Sequence, residues 1–490
     1  MFKTVALVTV FACFERFLGF LYRIFLSRSL GAEGMGLYQI TLSVVGVLVM
    51  LTASGTPITV SRLMMKWRAK NDVFRERQVI SAGILTSLMI SVPITVLLYV
   101  LRNKLSFIFA DERCYEVLIV ILPGIVLTSV YAVIRGVFWG NKQFFTYSLI
   151  ELIEEIAMLV FGFFLISRMQ SVLDGTLRAG LAICLSYVVS FALSTAVFII
   201  QGGRLGNPVK QLLPLAEASL PITLMKTAGS LLGTLIAIIL PKRLLSFGLT
   251  SAQALAEFGE MSGMALPLLF IPSTVIGSIA LVIVPELSEN YYMNRSEALT
   301  KKISNSIKCS VLISAFIFPV FIACGEEIGV LVYSNENAGH MLAVSSIMML
   351  PMSITLISTS ILNSLNFEKK TLLFYVIGAA AMLVCVWFLP KYIGVYSLIA
   401  GYIVSYVLTV VLNLGLLEKT FSKMLVYKKH AVLTTVCALA ATLFGHYLKG
   451  IIALKTKGIW LILPVFLAIS AFNAVCLFTA GSFGWLKDKE

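Results

Sequence analysis

The chain has 490 residues, of which 59% are hydrophobic and only 13% charged, and its mean hydropathy is +0.96. A water-soluble protein of this length could not cover so much apolar surface, so lipid must form part of its surroundings. The apolar runs are continuous and about 20 residues long, which favours membrane-spanning helices over the alternating segments of an outer-membrane barrel. The net charge of +14 resides mostly at predicted helix ends, so we expect no nucleic-acid partner.

The sequence predicts about fourteen transmembrane helices and therefore an all-α, polytopic membrane protein. An even number places both termini on one side. The loops on that side carry more lysine and arginine than the opposite loops, which predicts cytoplasmic termini. The approximate limits of the spans are 4–28, 38–61, 79–101, 117–138, 147–167, 179–200, 218–240, 261–284, 305–324, 341–364, 372–390, 395–417, 431–448 and 458–480.

Two weak similarities at nearly the same offset predict an internal repeat. Pro123 and Pro351 each open a span after a leucine and lie 228 residues apart, and the segments that end at Tyr38 and Phe258 lie 220 residues apart. Secondary transporters are often built from such repeats, with the substrate between them. The predicted organisation is two six-helix lobes and two additional C-terminal helices, at 1–215, 216–428 and 429–490.

Two arginines interrupt the first apolar run, which we therefore interpret as a spanning helix and not as a cleavable signal peptide. Arg16 and Arg23 are seven residues apart, so they project from one face of a helix, roughly 10 Å from each other. A guanidinium remains charged at physiological pH and is costly to place against lipid. The pair therefore indicates either an anion site in a hydrated cavity or a structural ion pair with nearby acids.

Further charged residues lie in or beside the predicted spans and are candidates for cavity or coupling groups. Three glutamates near the start of the fifth span share one helix face. Because clustered carboxylates repel one another, we expect them either to hold a coupling ion, H⁺ or Na⁺, or to face cytoplasmic water. The lysine of the seventh span either lines a cavity or snorkels to an interface. The candidates are Glu15, Glu151, Glu154, Glu155, Lys226, Glu257 and Glu260.

The sequence contains little that could hold a metal or catalyse a reaction. Its eight cysteines are scattered singly and its three histidines are far apart, so we expect buried small hydrophobes instead of metal ligands. Neither a phosphate-binding P-loop nor a GxSxG elbow is present. We therefore expect no catalytic residue, no metal, no cofactor and no enzymatic activity, and transport as the general function.

Several segments resemble the stage V sporulation protein B group, which belongs to the polysaccharide and lipid II flippases of the multidrug/oligosaccharidyl-lipid/polysaccharide (MOP) exporter superfamily. The similarity covers roughly residues 1–430, and the 6+6+2 helix pattern agrees with it. The segments are 16–24, 31–39, 55–63, 135–140, 258–272 and 284–289.

This resemblance implies a MATE- and MurJ-like fold with a V-shaped pair of lobes around a cationic cavity. It also implies that an undecaprenyl-diphosphate-linked saccharide, such as lipid II, turns over between leaflets by alternating access for peptidoglycan, spore cortex or polysaccharide synthesis. Arg16 falls on a position thought to meet the diphosphate, and Arg23 lies one residue from a second such position. The expected setting is the bacterial cytoplasmic membrane, with the lipid-linked oligosaccharide, membrane lipids and wall-synthesis enzymes as partners of a monomer.

The chain also departs from the family's patterns. Arginines that the lipid II flippases carry in the second and eighth spans are absent here, and the fifth-span pattern survives only as Glu154, with Met158 at its arginine position. Two other functions therefore remain open. One is a cation-coupled multidrug exporter of the same fold, which would depend on acids instead of arginines. The other is a membrane scaffold for wall synthesis that transports nothing.

Overall fold

The computed structural model describes residues 2–293, 295–421, 426–452 and 459–479, and no β-strand occurs among them. The predicted all-α class is thereby confirmed. The helices of the first part are α1 (Phe2–Ala53), α2 (Thr56–Arg68), α3 (Val73–Val100), α4 (Arg102–Leu105), α5 (Arg113–Gly140), α6 (Phe144–Ile166), α7 (Val172–Ile200), α8 (Val209–Ser246) and α9 (Ser251–Phe258).

A π-helical segment, Gly259–Ala265, joins α9 to the second set of helices. That set is α10 (Leu266–Tyr292), α11 (Ser296–Tyr333), α12 (Glu336–Ser345), α13 (Met349–Ser364), α14 (Glu368–Phe388), α15 (Pro390–Ile393), α16 (Ser397–Thr420), α17 (Val426–Ile452) and α18 (Ile459–Thr479).

Twelve helical stretches in the described ranges are long and apolar enough to cross a membrane. The first, Val10–Arg68, contains two of the predicted spans, because the chain breaks its helix at Gly31 and again after Ala53. Helix α6 is not among the twelve, because it carries three charged residues, its glutamates, within about one turn. The helices therefore agree with the predicted count of about fourteen spans.

The break at Gly31 has a conformational cause. Gly31 has φ 68° and ψ −172°, a conformation that a residue with a side chain rarely adopts. Helix α9 packs closely beside this break. A Cβ on Gly36 would collide with the carbonyl oxygen of Leu255, and a Cβ on Gly259 would collide with that of Ala32. The glycines of this motif therefore allow two backbones to approach each other.

A second break separates α1 from α2. Thr56 and Pro57 begin α2, and Gly55 packs so tightly against α8 that a Cβ would meet the carbonyl oxygen of Ser219 at 2.5 Å. The Nζ of Lys226 in α8 donates to the carbonyl oxygen of Ser54 at 3.3 Å. This contact satisfies a carbonyl at the C-terminal end of α1, where a positive charge is favourable.

Side-chain caps mark where several helices begin. Ser171 accepts from the backbone N–H of Asp174 at the start of α7, and Asn335 caps α12 in the same way through Ala338. Thr250 and Gln253 form a capping box at the start of α9. These caps mark the starts of α7, α9 and α12, which the apolar runs of the sequence alone do not define clearly.

Contacts within the chain divide it into two units, residues 1–259 and 260–490. The core of the first unit contains Val79, Phe138 and Met64, all fully buried. The internal repeat predicts a boundary between residues 215 and 216 from sequence similarity alone, and this boundary stays a prediction. The separate segment at 429–490 also stays a prediction.

The second unit has two buried clusters. One, which includes Ile303 and Leu417, joins α10, α11, α13 and α16. The other packs α17 and α18 against α11, where Asn473 donates to the carbonyl oxygen of Ala315 at 2.7 Å and the rings of Phe444 and Phe472 stack at 4.4 Å. The last two described helices therefore share a core with α11.

Candidate substrate-binding site

Helices α1 and α6 run parallel and carry most of the predicted site residues. The rings of Phe11 and Phe145 lie 5.8 Å apart, and those of Phe25 and Phe163 lie 5.5 Å apart, so positions advance together along both helices. The two arginines of α1 therefore lie on a helix that packs beside the three glutamates of α6.

Gly19 brings one of these glutamates against the backbone of α1. The carboxylate Oε1 of Glu155 lies 2.9 Å from the position that a Cβ on Gly19 would occupy. Gly19 lies between Arg16 and Arg23 along the helix, so the carboxylate contacts α1 between the positions of the two arginines. Because glycine has no side chain, position 19 of α1 leaves space for the carboxylate of Glu155 from α6.

A second glutamate of α6 forms an ion pair with α5. Arg135 donates from Nη1 to Glu151 Oε1 at 2.8 Å, and both side chains are 27% exposed. The guanidinium also lies over the rings of Tyr131 and Trp139, at 5.7 and 5.3 Å from their centroids. Aromatic faces attract a cation and shield it from water, so they reinforce this ion pair.

The remaining acids of the site differ in their neighbours. Glu15 on α1 lies close enough to Glu151 and Glu155 to interact electrostatically with both. Glu154 shares their face of α6 but lies beside Ser190 of α7. The glutamates of one helix face thus contact three neighbouring helices, α1, α5 and α7, which their spacing alone does not predict.

The two arginines of α1 differ in exposure. Arg16 is exposed, and within the described ranges it forms no ion pair with an acid. Arg23 is half-buried and lies close enough to Tyr38 to influence it electrostatically. Their role as ligands of an anion stays a prediction, as do the roles of the acids around them.

The other predicted site residues lie away from this cluster. Lys226 binds the carbonyl oxygen at the break between α1 and α2. Glu257 is half-buried on α9. Glu260, in the π-helical segment, is only 6% exposed and accepts from Asn335 Nδ2 at 2.9 Å. Because Asn335 also caps α12, Glu260 helps to hold that helix start in the second unit.

Arg135 is the site residue that the sequence interpretation missed. The predicted fourth span ends at residue 138, and the loop count assigns Arg135 to the cytoplasmic side, whereas α5 continues to Gly140 and the arginine packs among aromatic rings. The signal that could have identified it is its position inside a predicted apolar span, 16 residues before Glu151.

In the described part of the chain, no group of three or more His, Cys, Asp or Glu side chains is arranged so that it could hold a metal ion. The cluster of charged residues on α1, α5 and α6 brings positive and negative side chains close together. Its members are three arginines and four glutamates within apolar stretches of α1, α5 and α6, namely Arg16, Arg23, Arg135, Glu15, Glu151, Glu154 and Glu155. Such a group can bind a charged substrate or a coupling ion, and it can also stabilise the packing of its helices.

Known proteins with similar sequences were found. Residues 1–291 match the family model described as polysaccharide biosynthesis protein. The chain is 21% identical over 461 residues to stage V sporulation protein B of Bacillus subtilis (strain 168), covering 89% of this chain and 87% of that protein. It is 22% identical over 321 residues to sporulation protein YkvU of the same organism, covering 62% and 69%.

Solved structures with the same fold were also found. The lipid II flippase MurJ in an inward closed conformation has a TM-score of 0.75 at 12% identity, covering 97% of this chain and 99% of that one. An inward-facing MATE family multidrug transporter of the MOP superfamily has a TM-score of 0.67 at 15% identity, covering 84% and 95%. The MATE- and MurJ-like fold that the motifs imply is confirmed. Because the matched model spans more than half of the sequence, this chain belongs to the polysaccharide biosynthesis protein family, and its fold is that of the MOP superfamily.

Proposed function

We propose that this protein is a flippase that moves an undecaprenyl-diphosphate-linked saccharide, such as lipid II, across the bacterial cytoplasmic membrane by alternating access. The observation that carries the proposal is the exposed guanidinium of Arg16, in an apolar helix and without an acidic partner in the described ranges. Such a charge is costly in a membrane unless water or an anion meets it. The fold shared with a lipid II flippase supports the same function.

In this proposal, the diphosphate is the group that the two arginines of α1 recognise. Guanidinium groups bind phosphate oxygens through two parallel hydrogen bonds, so Arg16 and Arg23 can replace part of the water that a diphosphate must lose. The polyprenyl tail stays in lipid while the saccharide passes. A membrane potential that is negative inside favours outward movement of an anion by about 2.3 kcal/mol per charge per 100 mV, so ATP is not required.

The test measures lipid II on the outer leaflet of spheroplasts whose own lipid II flippases are depleted. A membrane-impermeant enzyme that cleaves lipid II reports how much has crossed. We expect the wild-type chain to restore cleavage, and the double variant Arg16→Ala/Arg23→Ala to lose at least nine-tenths of it, which corresponds to about 1.4 kcal/mol in the activation free energy of transport. The control, Arg62→Ala/Arg295→Ala, likewise removes two arginines, both of them exposed, and should transport normally.

Two results would contradict the proposal. Normal cleavage with the Arg16→Ala/Arg23→Ala variant would remove the arginines from the mechanism. Absence of any cleavage with a well-expressed wild-type chain would exclude lipid II, and the same assay with other undecaprenyl-diphosphate saccharides would then decide whether this substrate class is correct.

A cation-coupled multidrug exporter is the second candidate. The electrostatic proximity of Glu15 to Glu151 and Glu155 favours it, because neighbouring acids suit a coupling H⁺ or Na⁺. This function predicts that Glu155→Gln abolishes drug resistance in a sensitive host, while Arg16→Ala has no effect. The opposite pattern in the two assays supports the flippase.

A further inference from the structure

A polar cavity in the first unit is lined by residues other than the charged residues of the α1–α6 cluster. It has a volume of about 230 Å³ and opens where α2 and α7 end and α3 begins. Its lining includes three arginines from three separate segments, Arg68, Arg77 and Arg204, together with the amide of Gln143. The predicted topology places these segment ends on the cytoplasmic side of the membrane.

The charges around this cavity do not cancel. Its acid, Glu76, is occupied by Arg68, whose Nε donates to Glu76 Oε2 at 3.2 Å and whose Nη1 donates to Asn141 at 2.7 Å. Arg77 and Arg204 form no ion pair with any acid in the part of the chain that the structure describes. Two guanidinium groups therefore face one small space with no negative charge left to meet them.

The geometry of the cavity is held by the packing of its loop. Gly206 N donates to Ser81 Oγ at 2.9 Å, which fastens the segment that carries Arg204 to α3. A Cβ on Gly203 would lie 2.5 Å from the ring of Phe198, so the turn after α7 packs tightly. Arg204 is thus carried on an anchored turn and not on a loose tail.

A side-chain amide that lines the cavity, that of Gln143, also lacks a hydrogen-bond partner on its oxygen among the described residues. Gln143 Oε1 is buried and accepts no hydrogen bond among the described residues. Oxygen and nitrogen of a side-chain amide are interchangeable in shape, and a turned amide would present two N–H donors to a bound acceptor. A ligand rich in acceptor oxygens would therefore satisfy Gln143 as well as the two arginines.

We propose that this cavity binds a phosphate group, carried either by an anionic lipid headgroup or by a soluble phosphate ester. A phosphate offers several acceptor oxygens in different directions, which suits guanidinium groups from separate segments better than a planar carboxylate does. The volume admits a headgroup but lies below the size of pockets that enclose whole drug-sized ligands.

The surroundings agree with a lipid headgroup as one source. Trp67, at the end of α2, lies among three cations, with Lys66 and Lys70 each 5.4 Å and Arg75 4.4 Å from its ring. Tryptophan and basic residues are enriched at the membrane interface, where they meet anionic headgroups. The site is separate from the α1 arginines, so it does not depend on the flippase proposal.

The experiment compares two probes on the purified full chain. One arm titrates inorganic phosphate into protein in a neutral detergent and follows thermal unfolding. The other uses native mass spectrometry to count phosphatidylglycerol molecules that remain bound, with phosphatidylcholine as the neutral reference. We expect wild type to bind at least one probe, and Arg77→Gln/Arg204→Gln to bind it about tenfold more weakly, or 1.4 kcal/mol.

Two further variants make the result decisive. Arg295→Gln/Lys301→Gln removes two exposed charges from the other unit and should bind as wild type does. Arg77→Lys/Arg204→Lys keeps both charges and should retain most of the binding even if the glutamine variant folds poorly.

The pattern across the arms identifies the source. Binding of phosphatidylglycerol without inorganic phosphate assigns a lipid headgroup, and binding of phosphate without lipid retention assigns a soluble ester. The proposal is overturned if neither probe binds, or if the glutamine variant, correctly folded by circular dichroism, binds both probes as strongly as wild type does.

Discussion

The carboxylate of Glu155 on α6 lies against Gly19 on α1, 2.9 Å from where a Cβ would be. A glycine in the interior of an apolar helix thus makes space for a charged side chain from its neighbour. The contact places Glu155 between the levels of Arg16 and Arg23, and it makes Gly19 a position where a single methyl group tests the arrangement of the charges.

We predict that Gly19→Ala reduces transport more than it reduces stability. The added methyl group displaces the end of a flexible glutamate, so the free energy of unfolding should fall by no more than about 1 kcal/mol. Transport in the spheroplast assay should fall severalfold, because the displaced carboxylate changes the charge between the arginines. The control is Gly229→Ala on α8, where a Cβ meets nothing within 4 Å. Equal transport by both variants would contradict this prediction.

The ion pair between Arg135 and Glu151 should be measurable in a double-mutant cycle. Each single change to glutamine leaves the other charge among apolar helices without its partner, which destabilises the protein more than removing both. We expect a coupling energy of about 1 kcal/mol from thermal or denaturant unfolding. The comparison pair is Arg178 and Asp174, within the first two turns of α7, where an i,i+4 pair on one helix should give a smaller coupling energy. A coupling energy near zero for the first pair would contradict its structural role.

Gly36 should tolerate no side chain. A Cβ there collides with the backbone carbonyl oxygen of Leu255, which cannot move aside as a side chain can. We therefore expect Gly36→Ala to lower the free energy of unfolding by about 1–3 kcal/mol or more. Gly233→Ala, on α8 with nothing within 4 Å, should change it by less than about 1 kcal/mol and in the stabilising direction. Similar effects at both positions would show that α9 does not pack as described.

Asp111 should make stability depend on pH in the acidic range. Burial raises the pKa of this carboxyl, but hydrogen bonds from Arg113 and Ser251 and the charge of Arg113 outweigh burial, so the pKa lies below its usual value. A lowered folded-state pKa stabilises the fold fully above the unfolded-state pKa, about 3.9. This contribution is lost as the pH falls below that value and through the folded-state pKa.

The measurement is the midpoint of thermal unfolding of wild type and Asp111→Asn between neutral pH and pH 3. Wild type should be the more stable at neutral pH, and the difference should shrink as the pH falls through the acidic range. A difference that stays constant with pH would mean that the ionised form of Asp111 contributes nothing specific.

The sequence by itself determined the class of the fold and the helices that carry the charges. Long apolar runs need lipid whatever their neighbours are, and the helical period places Arg16 and Arg23 on one face without any knowledge of packing. The glycine-rich motif around Gly31 is one of the segments on which the predicted family rests. The backbone conformation of Gly31 is a local property, so the sequence can indicate it without the tertiary structure.

Only the tertiary structure decided which charges meet. Glu155 lies against Gly19, Glu151 pairs with Arg135, and Arg77 shares a cavity with Arg204, over separations of 136, 16 and 127 residues. Lys226 donates to the carbonyl oxygen of Ser54, 172 residues before it, a partner that its place in the sequence does not indicate. The energy of a buried charge depends on the atoms within a few ångströms, and helices distant in sequence supply those atoms.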